Sequence, residues 1–147
     1  MNHSYILQEQ FSQDLTLHSH VDELLRVEPL LVRFAQQIGM AEDRLPLFVV
    51  AVTEALSNAI IHGNRQAPGK HVQLKLSYEP SAQGGKGKLY VKVQDEGEGF
   101  DPESLPDPTI ESNLLRESGR GIFLMRNIAD SVEFLDKGRC VILQFFL

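Results

Sequence analysis

Apolar residues recur along this chain with two different periods, and the switches between them lay out its elements. From Tyr5 to Leu17 they alternate loosely, which predicts one or two short strands. Leu30, Leu31, Phe34, Ala35 and Ile38 then follow helical spacing. Pro29 suits the first turn of that helix and Gly39 its stop. A second helix is predicted from near Asp43 to about His62. Leu45, Phe48, Val49, Val52, Leu56 and Ile60 line its back, with Glu54, Asn58 and His62 on the other side between Ala51 and Ile61. A helix so apolar all round must be covered on more than one side. Period two returns at Val72, Leu74, Leu76 and Tyr78, and again at Leu89, Val91 and Val93, while Glu79 to Gly87 is rich in turn formers, so a hairpin is expected. A third helix is predicted from about Gly121 to Ala129, and Val132 to Leu135 and Cys140 to Leu147 close the chain as strands. Strand pairs with helices grouped between them predict a two-layer α/β (α+β) sandwich, its sheet mainly antiparallel and covered on one face.

The 147 residues suit one domain, residues 1–147, with a single core. Hydrophobic content of 42% and charged content of 23% are those of an ordinary globular protein. A net charge of -6 argues against a general nucleic-acid binder. The single cysteine, Cys140, removes disulfide frameworks and thiolate zinc sites from consideration. No stretch reads as long enough for a membrane span, and the first residues lack a basic-then-apolar leader, so a reducing, cytoplasmic compartment is the default.

Three motifs carry candidate chemistry. Glu54 and Asn58 stand i, i+4 and share a helical face among apolar neighbours. An unpaired carboxylate and amide there would be costly if buried. Asn58 can offer a neutral oxygen to a hard cation such as Mg2+, and Glu54, one turn away, can take a proton. The plain alternative is a capping or solvated stripe. Asp95-Glu-Gly-Glu-Gly-Phe-Asp101 follows a strand directly. Gly97 and Gly99 let a ligand approach the backbone, and Asp95 can accept a hydrogen bond from a ligand amino group. A polar turn is the alternative, since the oxygen spacing of an EF-hand loop is missing. Ser118-Gly-Arg-Gly-Ile-Phe-Leu-Met125 reads as a glycine loop opening onto a helix, an arrangement that attracts phosphate. It lacks the third glycine of a dinucleotide fingerprint, and no Walker Gly-Lys-Ser/Thr occurs in the chain. A glycine cap with small-residue packing is its alternative. Between the last two motifs, Asp101 to Ser118 is polar, with Pro102, Pro106 and Pro108, as a functional lid or a disordered stretch would be.

In their order along the chain these motifs resemble the N, G1 and G2 boxes of the gyrase, histidine-kinase and MutL (GHKL) ATPase superfamily. The run Glu54-Ala-Leu-Ser-Asn58-Ala with His62-Gly63, then Gly99 to Pro102, then Gly119 to Met125, is similar to the anti-sigma factor serine/threonine kinases of the RsbW and SpoIIAB type. The resemblance covers about Leu15 to the C-terminus. It implies a Bergerat-type ATP-binding fold with ATP and Mg2+ as cofactors and an ATP lid at 101–118. Asn58 would ligate Mg2+, and Glu54 would be the general base on a partner's hydroxyl. Asp95 would take the adenine amino group, Gly97 and Gly99 would shape the pocket floor, and Gly119, Arg120 and Gly121 would close over the phosphates. Such a set is what phosphoryl transfer asks for: positioning and charge stabilisation. His62 reads as a capping or packing residue, and Arg116 and Arg120 as phosphate contacts or solvated lid arginines. The superfamily often has Gly-Thr before its last strand; here Lys137-Gly-Arg-Cys-Val141 puts Arg139 or Cys140 where that hydroxyl is expected.

The resemblance also implies protein partners, a sigma factor and a STAS-type antagonist phosphorylated on a hydroxyl. No direct nucleic-acid or membrane contact is expected, and a homodimer is compatible with it. The alternative is a nucleotide-responsive binding switch without kinase activity; the retained Glu54 favours the kinase, since a switch has no need of a base. A histidine-kinase fragment fits poorly, because His3, His18 and His20 lie in no long heptad pattern.

Overall fold

A computed structural model describes residues 11–99 and 117–147. Five strands form one antiparallel sheet in the order β1-β2-β3-β5-β4: β1 is Phe11–His18, β2 His71–Glu79, β3 Lys88–Gln94, β4 Ser131–Leu135 and β5 Cys140–Phe146. The period-two pattern fixes which face is inside. Leu15, Leu74, Val93, Val141 and Phe134 stand opposite one another across all five strands. The next row runs Leu76, Val91, Leu143 and Val132. The other face is polar, with Asp14 opposite Lys75 and Glu79 opposite Lys88, pairs that favour this register.

The apolar face is covered by α1 (Glu23–Gln37), by α2 (Leu45–Ser57) with the π-helical turn Asn58–Gly63 that continues it, and by α3 (Glu117–Ile128). α2 lies between α1, α3 and β3. Phe48, Ala51, Val52, Ala55, Leu56 and Ile60 are all buried, which accounts for its all-round apolarity. The stretch Leu45–Gly63 is 19 residues long and apolar enough by composition to cross a membrane, which corrects the expectation that no stretch reaches that length. Here it is the central core helix.

The first helix departs from its predicted start. It begins at Glu23, whose carboxylate accepts the His18 N–H (2.9 Å) and pairs with Arg26, so the start is set by the strand before it. Pro29 therefore lies inside the helix. Its missing donor is tolerated because Val27, Leu31, Phe34 and Ala35 are buried around it. The stop is as expected. Gly39 has φ +80°, its N–H donates to Gln36 O (3.1 Å) and that of Met40 to Ala35 O (3.0 Å), the Schellman arrangement. The hairpin and the two closing strands lie where the pattern puts them. Of the predicted N-terminal strand segment, β1 covers Phe11 onward, and Tyr5 to Gln10 lie outside the described residues.

Candidate functional site

The end of α2 shapes the site. At Asn58 the helix widens into a π turn, and the Asn64 N–H reaches back five residues to Ala59 O (2.8 Å). Such turns are rare and recur at functional positions. The turn brings Gly63 against the end of β3. A Cβ on Gly63 would lie 2.5 Å from the Asp95 carboxyl carbon, and one on Gly97 would collide with Gly63 O. Both positions need glycine because two backbones and a carboxylate meet there. Gly99 has φ +88°, and a Cβ on it would strike Lys137 O in the β4–β5 turn.

Two clefts adjoin along this turn. The first, open to solvent, spans about 730 Å³ with its mouth included. Its walls are apolar, from Ala55, Ala59, Val93, Ile122, Met125 and Phe134, with Asp95, Gly99 and Arg139 at one end. The second, about 710 Å³, is lined by Glu54, Ser57, Asn58, Ile61, His62, Arg120, Gly121 and Leu124. Asn58 and His62 line both. Glu54 and Asn58 are half-buried and do share a face. The backbone of Gly121 is packed so close to them that a Cβ there would stand 2.8 Å from Glu54 Oε2 and 3.2 Å from Asn58 Nδ2.

Asp95 is buried, at 8% exposure. Burial pushes its carboxyl above the usual carboxylate range, and the Gly97 N–H and the Arg139 guanidinium pull it part of the way back. Its Oδ1 accepts the Gly97 N–H (2.8 Å), and among the described residues nothing donates to Oδ2. An acceptor oxygen at the end of an apolar slot suits a flat ligand carrying an amino group.

The structure thus brings Glu54, Asn58, Arg120 and Gly121 together in one cleft and places Asp95 and Gly99 in the next, with Gly97 beneath Asp95. Gly119 and Gly121 are not in a loop ahead of α3, as expected, but within it, because the helix starts at Glu117, four residues earlier than predicted. Phe100 to Arg116, and with them Arg116 and nearly all of the proposed lid, lie outside the described residues.

Asn64 was not legible in the sequence as part of the site, and Arg139 only as one of two residues in place of an expected hydroxyl. Asn64 is 1% exposed, donates to Ser19 Oγ (2.8 Å) and His71 O (2.9 Å), and accepts the Glu96 N–H (2.7 Å). It ties the π turn to β2 and to the segment after β3, yet as a polar residue after Gly63 it reads as an ordinary turn former. Arg139, not Cys140, lines the cleft. Cys140 is buried opposite Gln94 and Leu135, and burial pushes its thiol up, away from the reactive thiolate.

Residues 17–145 match the family model described as the histidine kinase-like ATPase domain. The chain is 30% identical over 129 residues to an anti-sigma F factor of Heyndrickxia coagulans, covering 86% of this chain and 83% of that protein. It is 33% identical over 101 residues to an anti-sigma F factor of Geobacillus stearothermophilus, covering 67% of this chain and 65% of the relative, just under two thirds of its length. In fold it is similar to the crystal structure of the RsbU and RsbW domains of a Mycobacterium tuberculosis protein, with a TM-score of 0.59 over 92% of this chain and 31% of that one, at 13% identity.

Proposed function

The chain belongs to the histidine kinase-like ATPase family, in its RsbW and SpoIIAB branch of anti-sigma factors, and on that footing we propose that it is an ATP-dependent serine/threonine protein kinase. Its partners are a sigma factor, which it holds, and a STAS-type antagonist, which it phosphorylates. It works in the cytoplasm, with residues 17–145 as one domain. The observation that carries the proposal is the meeting of Glu54 and Asn58 with the Gly121 backbone in a polar cleft that adjoins an apolar one ending in Asp95.

The residues fit the group they would hold. The apolar slot takes the base, with Asp95 accepting from its amino group. Asn58 stands where both clefts meet and would be the ligand for Mg2+; among the described residues no group of three histidine, cysteine or acidic side chains would hold a metal by itself. One neutral amide suits a hard cation whose other ligands come with the nucleotide. When bound, Mg-ATP would supply the electrophilic γ-phosphoryl group, with ADP as the leaving group. Glu54, one helical turn before Asn58, takes the proton of the incoming hydroxyl, and Arg120 on α3 lends positive charge to the same cleft. The α3 N-terminal end, which carries Gly119, Arg120 and Gly121, adds the favourable end of its dipole toward anions.

Transfer of labelled phosphate from ATP to a co-purified STAS-type protein tests this. Wild type should transfer. Glu54→Gln should keep ATP and partner binding and lose transfer by on the order of a hundredfold or more, the usual contribution of a positioned base. Equal transfer by the two would remove Glu54 from the mechanism. Wild-type protein that binds ATP and partner yet transfers nothing would establish the switch reading instead.

A further inference from the structure

The turn between β4 and β5 is built in a costly way. Asp136, Lys137 and Gly138 all have positive φ, at 50°, 54° and 80°. Two of them are not glycine, and a left-handed backbone at such residues persists only where its surroundings hold it. The turn closes on itself through Gly138 N–H to Leu135 O (3.0 Å) and Arg139 N–H to Asp136 O (3.0 Å). Its reward lies across the sheet end. Arg139 Nε donates to Gly97 O (2.8 Å) and Nη2 to Glu98 O (3.1 Å), while Nη1 is held by Asp136 Oδ1 (3.1 Å). The Arg139 carbonyl in turn accepts the Asp95 N–H (2.8 Å). Gly99 rests directly on Lys137 O. All three guanidinium nitrogens are engaged, so this side chain is not one waiting for a phosphate.

We propose that Arg139 is a positioning residue for nucleotide binding: its planar fork grips the carbonyls of Gly97 and Glu98 and so holds the base end of the cleft in its binding shape before the ligand arrives. The inference rests on the reading of this cleft as a nucleotide site. Of Arg139 and Cys140, the two residues that stand where the resemblance leads one to expect a hydroxyl, only Arg139 lines the cleft. The arginine orders the loop that lines the base end of the cleft. Ordering a loop in advance removes a conformational cost from binding. Lysine does not substitute, because a point charge cannot span two carbonyls in a fixed geometry. The fork also sets the charge around Asp95, which has Arg139 and Asp136 from the β4–β5 turn and Lys70 from ahead of β2 around it. His62 lines the same cleft, and Cys140 lies beyond Arg139.

Calorimetric titration with Mg-ADP tests the proposal on wild type, Arg139→Ala and Arg139→Lys, alongside thermal midpoints of the unliganded proteins. Both variants should bind about tenfold more weakly, a loss on the scale of ordering one further backbone residue. Midpoints should fall by no more than roughly 3 °C, since two of the three contacts that the guanidinium makes, to Glu98 O and to Asp136, are exposed. With the guanidinium gone, the pH below which binding fails should also move upward in Arg139→Ala, a readout that a purely structural role would leave alone. Unchanged affinity in Arg139→Ala would overturn the proposal, as would full rescue by lysine or an affinity loss matched by a large fall in midpoint. If Arg139→Ala does not fold, Arg139→Lys carries the test: affinity at the wild-type level in that variant overturns the proposal. Wild-type protein that binds no nucleotide would overturn the nucleotide reading itself and this inference with it.

Discussion

On the proposed reading, function and stability pull apart at Asp95. Its folded carboxyl sits above its ordinary value, chiefly because it is buried. A raised carboxyl means the folded state holds the proton more tightly than the unfolded one. The contribution of this group to stability is therefore fully present below the ordinary carboxylate value and is lost as pH rises through the folded value. At neutral pH the ionised form is a cost that the site bears. Asp95→Asn removes that charge and keeps an acceptor for the Gly97 N–H. The unliganded variant should melt higher by up to about 3 °C, on the order of 1 kcal/mol for a chain of this size. Its affinity for ATP should fall, because a neutral amide is a poorer acceptor for an amino group. Differential scanning calorimetry with and without nucleotide checks both halves; a lower midpoint in the free variant would show that the buried carboxylate stabilises after all.

Among the elements, the π turn decides most. A regular α-helix from Leu45 through Gly63 would carry the end of the helix past β3 without seating it there. The wider turn seats Gly63 on Asp95 and Gly97 instead. The contacts at Gly97 and at Gly121 differ in kind, and so should their variants. At Gly97 an added methyl meets a backbone carbonyl, which cannot swing away, so Gly97→Ala should lower stability by roughly 1–3 kcal/mol, the range for overpacking. It should also abolish nucleotide binding at ordinary concentrations. At Gly121 the added methyl meets the ends of Glu54 and Asn58 side chains. These can rotate, so Gly121→Ala should fold with a near-normal midpoint and lose activity because Glu54 is displaced. Urea unfolding curves paired with phosphate-transfer rates separate the two outcomes. Equal damage to both properties in both variants would contradict this distinction.

For the molecule as a whole, the arrangement of the layers sets what a ligand can do. The cleft is walled by α2, α3 and the sheet, so a nucleotide within it bridges elements far apart in the chain. A ligand that binds only the folded state should stabilise it. At a free concentration about a hundred times its dissociation constant the gain is about 2.7 kcal/mol. For a chain of this length that corresponds to a rise in midpoint of roughly 5–10 °C. Asn58→Ala should lose the part of that rise that depends on Mg2+ while keeping the part seen with nucleotide and a chelator. A midpoint unmoved by millimolar Mg-ATP would remove the nucleotide site from the account.

The sequence by itself determined the element types, the hairpin, the inward rows of the sheet, the stop at Gly39 and the grouping of Glu54 with Asn58. These follow from periods of two and 3.6 and from glycine chemistry, which are local. It also placed Asp95, Gly97 and Gly99 at a strand end, where a ligand can reach the backbone. What it left open depends on contacts between distant segments. The early start of α1 and the tolerance of Pro29 come from the tie between His18 and Glu23 and from core burial. The inclusion of Gly119 and Gly121 within α3 goes against their helix-breaking tendency, and the close seat of Gly121 on α2 shows what the small residue is for. Asn64 and Arg139 look like turn residues until the end of α2, the segment after β3 and the β4–β5 turn are brought together. Only then do their hydrogen bonds exist, because a side chain can hold a backbone carbonyl forty residues away only after the sheet has closed the distance.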